Sequence, residues 1–294
     1  MEASQKTVGE PPQSIPDDAG THSSPHSVDF NQQTSPEMHN IGAEGDALAS
    51  HSGAGTVEML EVVRLLKDAG VPSCIVGTHP LGYYGAGRVP IVWELCVPED
   101  QLDQAADLFK SEPLSKSYEP WPVNSPIPMD LLHIFPRFHL KGVHFLFFIV
   151  PTSDWLLDCD EAKCEMSFMG LPYPKLEYFA QSLLDTQRLG DLEDLVDGMN
   201  LSEEWGEEHL DLDRTSDVGH ARWKNEQIRA SIPETPYSEL MEMDEYPKPL
   251  RPIWQDIVRK KKSRIGLELS KDHYHTRFCA IGRGDPRLRE RTAF

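Results

Sequence analysis

Four residues between positions 77 and 94 have the chemistry to meet a phosphorylated ligand. Gly77 and Thr78 follow the apolar run Ser73-Cys-Ile-Val76, Arg88 comes after a glycine-rich turn, and Glu94 opens the run Glu94-Leu-Cys-Val97. A glycine lets the backbone come close to an anion and offer its amide hydrogens. Thr78 adds a hydroxyl donor, Arg88 a fixed positive charge, and Glu94 a carboxylate of the kind that holds a hard cation. Each has a competing structural role: Gly77 as a tight turn, Glu94 as a solvated carboxylate, and Arg88 as the partner of Glu94. Further along, Arg188, Asp191 and Asp194 recur at helical spacing and share one face, where an ion-pair stripe locking two helices is the simpler reading. The five cysteines, Cys74, Cys96, Cys159, Cys164 and Cys279, are scattered, contain no Cys-x-x-Cys pair, and suggest packing in a reduced protein. His79, His133, His139 and His144 match no zinc spacing. Gly85-Ala-Gly-Arg88 is an incomplete phosphate-binding pattern, and neither a Walker loop nor a nucleophile elbow is present.

The elements that must position these residues can be read from periodicity. Val57, Leu60, Val63 and Leu66 predict an amphipathic helix over 57–69, with Thr56 as N-cap and Gly70 as its stop. Short strands are expected at 73–76 and 94–97, with a turn and short helix between them. Leu102, Ala105, Ala106 and Phe109 predict a helix over 100–110. Residues 111–130 are Pro-rich and read as irregular, and 131–138 is open between strand and loop. Phe145-Leu-Phe-Phe-Ile-Val150 is the strongest strand and should be central in a sheet. Leu171-Pro-Tyr-Pro-Lys-Leu176 leads as a turn into a helix over 175–186, followed by one over 190–198. Short helices are expected in 202–245, a linker-like break at 247–252, and a last helix over 253–265.

Two segments agree in order on one pattern: Ile75-Val76-Gly77-Thr78 through Arg88 to Glu94, and Gly170-Leu-Pro-Tyr-Pro-Lys through Arg188, Asp191 and Asp194. Together they resemble the minimal nucleotidyltransferases of the polymerase-β-like superfamily over roughly 57–200, in a layout similar to a group of fungal proteins. The resemblance implies an α/β fold, a small mixed sheet flanked by helices, with a helical C-terminal extension. It also implies a site in which Gly77, Thr78 and Arg88 bind a nucleotide and Glu94 is a Mg²⁺ ligand. Family members hold two metal ions with several carboxylates. Here Val92 stands where the first belongs, Pro90 replaces a threonine, and the strand around Phe147 carries no acid. Asp130, Asp154 or Asp158 could reach the site from a loop. One carboxylate cannot organise two magnesium ions, so the expectation is a catalytically degenerate binding or scaffold module. It would retain a nucleotide or phosphorylated metabolite and need no cofactor. The alternatives are an active Mg²⁺-dependent transferase using Glu94, or a protein-interaction domain whose pocket is filled by Trp93 and Tyr84.

Composition bounds the partners. Of the 294 residues, 28 are Lys or Arg and 48 are Asp or Glu, a net charge of −20, so nucleic acid is an unfavourable ligand and a protein or small phosphorylated molecule a better one. No segment reads as a signal peptide or membrane span, which leaves an intracellular protein, cytoplasmic or nuclear. Three parts are expected: a disordered segment over 1–55, the α/β domain over 56–200, and an acidic helical extension with a basic tail over 201–294. The run Arg259-Lys-Lys-Lys262 reads either as an import signal or as a face pairing with the acidic region of its own chain.

Overall fold

A computed structural model describes residues 45–90, 92–122, 131–233, 242–265 and 271–291. The expected disorder over 1–44 and the acid at Asp130 lie outside the described residues. The chain is mixed α/β. A five-stranded sheet has the order β1 (Cys74–Val76), β2 (Trp93–Val97), β5 (Leu146–Pro151), β4 (Arg137–Leu140), β3 (Tyr118–Pro120). Only β2 and β5 run parallel; the other neighbours are antiparallel. β5 is buried at every position and occupies the middle, as its unbroken apolar run requires.

Side chains alternate across the sheet and split the core in two. One face carries Ile75, Trp93, Leu95, Phe147 and Ile149, and is covered by α1 (Thr56–Asp68) and α3 (Leu102–Lys110). These helices bury Met59, Val62 and Leu66, and Ala105, Ala106 and Phe109, on single stripes. The other face carries Cys74, Val76, Cys96, Phe148 and Val150. It packs on α2 (Thr78–Tyr83), α5 (Leu176–Asp185) and α6 (Leu189–Met199). The acidic region joins this same layer through Ile228 of α8 (Val218–Ser231) and Trp254 of α9 (Leu250–Arg259), and so does Phe278 of the tail. The elements α4 (Thr152–Trp155), β6 (Cys164–Met166), β7 (Pro172–Pro174) and α7 (Glu203–His209) complete the framework, with β6 and β7 forming a separate antiparallel pair.

Several expectations are corrected. Residues 45–55, expected to be disordered, make defined contacts: Ala47 bridges to Val143, Ala49 is buried, and the Trp93 indole donates to the Ala54 carbonyl at 2.8 Å. The N-cap of α1 is Gly55, not Thr56, because Ser50 closes the helix end from outside, its hydroxyl accepting from the Val57 amide at 2.9 Å and its amide donating to Glu58 at 3.0 Å. The 111–130 stretch holds β3 at the sheet edge, where a proline lacks no needed ladder bond. The 171–176 turn contains β7, paired through its partner's backbone. The break at 247–252 ends early. Leu250 starts α9, and Pro252 sits in the first turn, where a missing amide costs nothing. The basic run largely pairs within the chain: Arg259 grips Glu203 with two bonds of 2.8 Å, Lys260 meets Asp256 at 2.7 Å, and Lys261 donates to Asn200. Arg264 likewise holds Asp197.

Candidate functional site

Gly77 ends β1 in a backbone conformation, φ 75° and ψ −140°, that is open to glycine alone. The half-buried Glu94 carboxylate lies against it, so closely that a Cβ at position 77 would overlap Glu94 Oε1. The tight turn and the acid therefore belong to one feature. Thr78 opens α2, a helix of six residues, and is half-buried. Arg88 is elsewhere. Its guanidinium pairs with Asp194 of α6, a residue 2% exposed in its side chain, rather than with Glu94. Sequence distance favoured the near acid, but α6 packs against α2 and brings Asp194 to the arginine.

The Arg188, Asp191, Asp194 face is an ion-pair stripe, but its partners come from other elements. Arg188 pairs with the buried Asp154 at 2.7 Å and stacks over Trp155 at 3.8 Å, and Lys224 meets the other Asp154 oxygen at 3.2 Å. Burial acts to raise the Asp154 pKa, yet Arg188 and Lys224 together hold it below the usual carboxylate range. Burial raises Asp191, against the pull of Arg188 and Arg88. Arg277 from the tail reaches Asp194 at 3.4 Å. Asp154 is thus committed to cations, and Asp158 is exposed on Lys163 at 2.9 Å.

A cleft of about 300 Å³ opens on the Trp93 side of the sheet edge. Among the described residues its walls include Thr56, His79, Tyr83, Trp93, Tyr173 and Pro286. Two ring pairs are fixed there: His79 on Trp93, with centroids 3.3 Å apart, and Tyr83 on Tyr173, 4.5 Å apart, both nearly parallel. Trp93 forms one wall of this open cleft. Tyr84 is in the core, its hydroxyl donating to the Pro174 carbonyl at 2.7 Å. Gly85 and Gly87 serve the C-terminal tail: Cβ atoms there would meet Pro286 at 2.7 Å and the Phe278 ring at 3.1 Å. Gly77, Thr78, Arg88 and Glu94 are not in the cleft wall. Glu94 and Trp93, adjacent in β2, point to opposite faces.

Burial pushes His79 down to about 3, and burial first, then Lys224, pushes His220 down to about 4, from an ordinary 6.5. The unfolded chain protonates these imidazoles first as the pH falls. Their contribution to stability is therefore complete above about pH 6.5 and is lost toward the folded values. The urea midpoint is expected to fall between about pH 7 and about pH 4, with a shallower fall in His79→Gln. An identical slope in that variant would contradict neutral burial of His79.

Sequence reasoning missed one constellation. Cys74, Cys96 and Cys159 are buried with their sulfurs all within 4.8 Å of one another, the one group of three His, Cys, Asp or Glu donors this close among the described residues. Cys74 and Cys96 are directly opposed in the β1–β2 ladder. That register was the available signal, but it requires knowing that the strands pair antiparallel. The four histidines form no such group: His133 bonds Ser231 at 2.8 Å and His139 lies 3.0 Å from Asp46. No protein-family model matches the chain, and no curated protein matches it. Among the described residues no helix is long and apolar enough to cross a membrane.

Proposed function

We propose that this chain is a nucleotidyltransferase-like binding module that holds a nucleotide, or a related phosphorylated molecule with a planar ring, without transferring it. The observation that carries this reading is the cleft whose walls hold two parallel ring pairs, His79–Trp93 and Tyr83–Tyr173. Trp93 and Tyr173 are buried and back the half-buried His79 and Tyr83, the two rings on which a base would stack at about 1–3 kcal/mol each. A volume of about 300 Å³ is at the small end of ligand sites, suited to a base and sugar with phosphates directed to solvent. The mixed sheet, with a glycine turn after its first strand and Glu94 on the second, agrees with the resemblance to the superfamily. Against transfer stands the donor set. Glu94 belongs to no group of three close donors among the described residues, and fold alone carries no reaction.

The test is thermal stability of the full chain with each of the four ribonucleoside triphosphates and with adenosine. A ligand at a hundred times its Kd is expected to add about 2.7 kcal/mol, several degrees in Tm. The shift should vanish in Tyr83→Ala. No shift with any of these ligands, or one that Tyr83→Ala leaves intact, would overturn the proposal.

A further inference from the structure

The cysteine cluster lies on the opposite sheet face from the aromatic cleft and has no part in that binding reading. Four of the five cysteines converge there. Cys74 and Cys96 face each other across β1 and β2. Cys159 enters from the loop after α4, its sulfur 3.5 Å from that of Cys74 and 3.2 Å from the Cys96 carbonyl. Cys164 returns at the start of β6 and packs, partly buried, against the core layer that holds the other three. The loop joining Cys159 and Cys164 is closed by Asp160, whose carboxylate accepts from the Ala162 amide at 2.8 Å and whose carbonyl accepts from the Lys163 amide at 2.9 Å. Two sulfurs thus come from one ladder pair and two from one capped loop.

We infer that Cys74, Cys96 and Cys159 form a thiolate site for Zn²⁺, with Cys164 as the fourth ligand. Zinc–sulfur bonds of about 2.3 Å in a tetrahedron set the sulfurs roughly 3.8 Å apart. The three core sulfurs already lie within 4.8 Å of one another, so small side-chain rotations close the site. Cys164 is half-buried and outside that close group, so it joins as the fourth ligand by a larger movement than the other three. A d¹⁰ ion suits a set with no oxygen or imidazole donor, and thiolate softness selects zinc over magnesium. Binding releases the thiol protons to solvent and leaves thiolates whose charge the ion offsets, which a buried apolar setting otherwise opposes. The ion would tie the β1–β2 edge to the β6 loop.

The experiment is metal analysis of the full chain purified under reducing conditions, dialysed with Zn²⁺ and then against metal-free buffer. About one tightly held zinc per chain is expected. Replacement by Co²⁺ should give the strong visible bands of a tetrahedral thiolate site together with sulfur-to-metal charge transfer. Cys96→Ser and Cys159→Ser should lose the metal, and Cys279→Ser should keep it. Should the serine variants fail to fold, the cobalt spectrum of the unaltered chain decides alone. Wild-type protein that retains no zinc and shows no cobalt bands overturns the inference. So does a resting mass two hydrogens short with Cys74 joined to Cys159, because a disulfide there removes two ligands.

Discussion

Asp154→Ala is expected to destabilise the protein by about 3–5 kcal/mol, the largest single-residue loss in the molecule outside its apolar core. The carboxylate is 3% exposed and stands between Arg188 at 2.7 Å and Lys224 at 3.2 Å, with the lysine side chain itself 7% exposed. Removing it leaves the buried Lys224 and the half-buried Arg188 facing each other without the carboxylate that holds both, at a cost greater than the net worth of the intact cluster. The same cluster ties three elements. Asp154 belongs to α4, Arg188 is the residue before α6, Lys224 lies in α8, and His220 of α8 contacts the Ser153 carbonyl at 3.0 Å. Urea denaturation of the wild type and variant measures the loss. The double variant Asp154→Ala with Lys224→Met should recover part of it, since one stranded charge goes with the lysine. A loss under about 1 kcal/mol would mean that the cations find water, and would remove the electrostatic account of how the acidic region is fastened to the sheet domain.

Two glycines of α6 should respond to alanine in opposite directions. At Gly198 a Cβ would lie 2.6 Å from both the Ala86 amide nitrogen and the Tyr84 carbonyl oxygen, and 2.9 Å from the Gly85 carbonyl carbon. All three are backbone, which cannot swing aside, so Gly198→Ala must push α6 away from the end of α2. The expected cost is about 1–3 kcal/mol, net of the helix propensity that alanine restores. Because Gly85 lines the cleft and abuts Pro286, nucleotide affinity should fall with stability. At Gly190 nothing lies within 4 Å of a Cβ, and the same substitution should be neutral or stabilising by up to about 1 kcal/mol. Equal effects at the two sites, read from thermal midpoints, would show that helix propensity rather than close packing governs α6.

The elements with long apolar periods were legible in the sequence. Ala105, Ala106 and Phe109, and the run through Phe147, each declare a face that is buried as its pattern requires, whereas the spacing of Val57, Leu60, Val63 and Leu66 foretells α1 but not its inward stripe, which is Met59, Val62 and Leu66 with Val57 exposed. The three-residue strands β3, β6 and β7 declare nothing. They are too short for a period, two contain prolines, and only a paired neighbour makes them strands. The site was legible in part. The tight turn expected at Gly77 followed from the residue type, whereas its coupling to Glu94 rests on the β1–β2 register, in which Val76 stands opposite Glu94. The partner of Arg88 did not, since charge alone cannot choose between an acid six positions away and one that folding brings close. The cleft and the cysteine group were hidden for the same reason. Thr56, His79, Trp93, Tyr173 and Pro286 meet only in three dimensions, and Cys74 meets Cys159 across 85 residues.

Pyrophosphate release in the presence of Mg²⁺, measured side by side for the full chain and for Glu94→Ala with each ribonucleoside triphosphate that raises the melting temperature, tests binding without transfer most directly. The expected result is release at the same background rate from both proteins while the ligand remains bound. Mg²⁺-dependent release that Glu94→Ala abolishes would contradict it and make Glu94 a catalytic metal ligand.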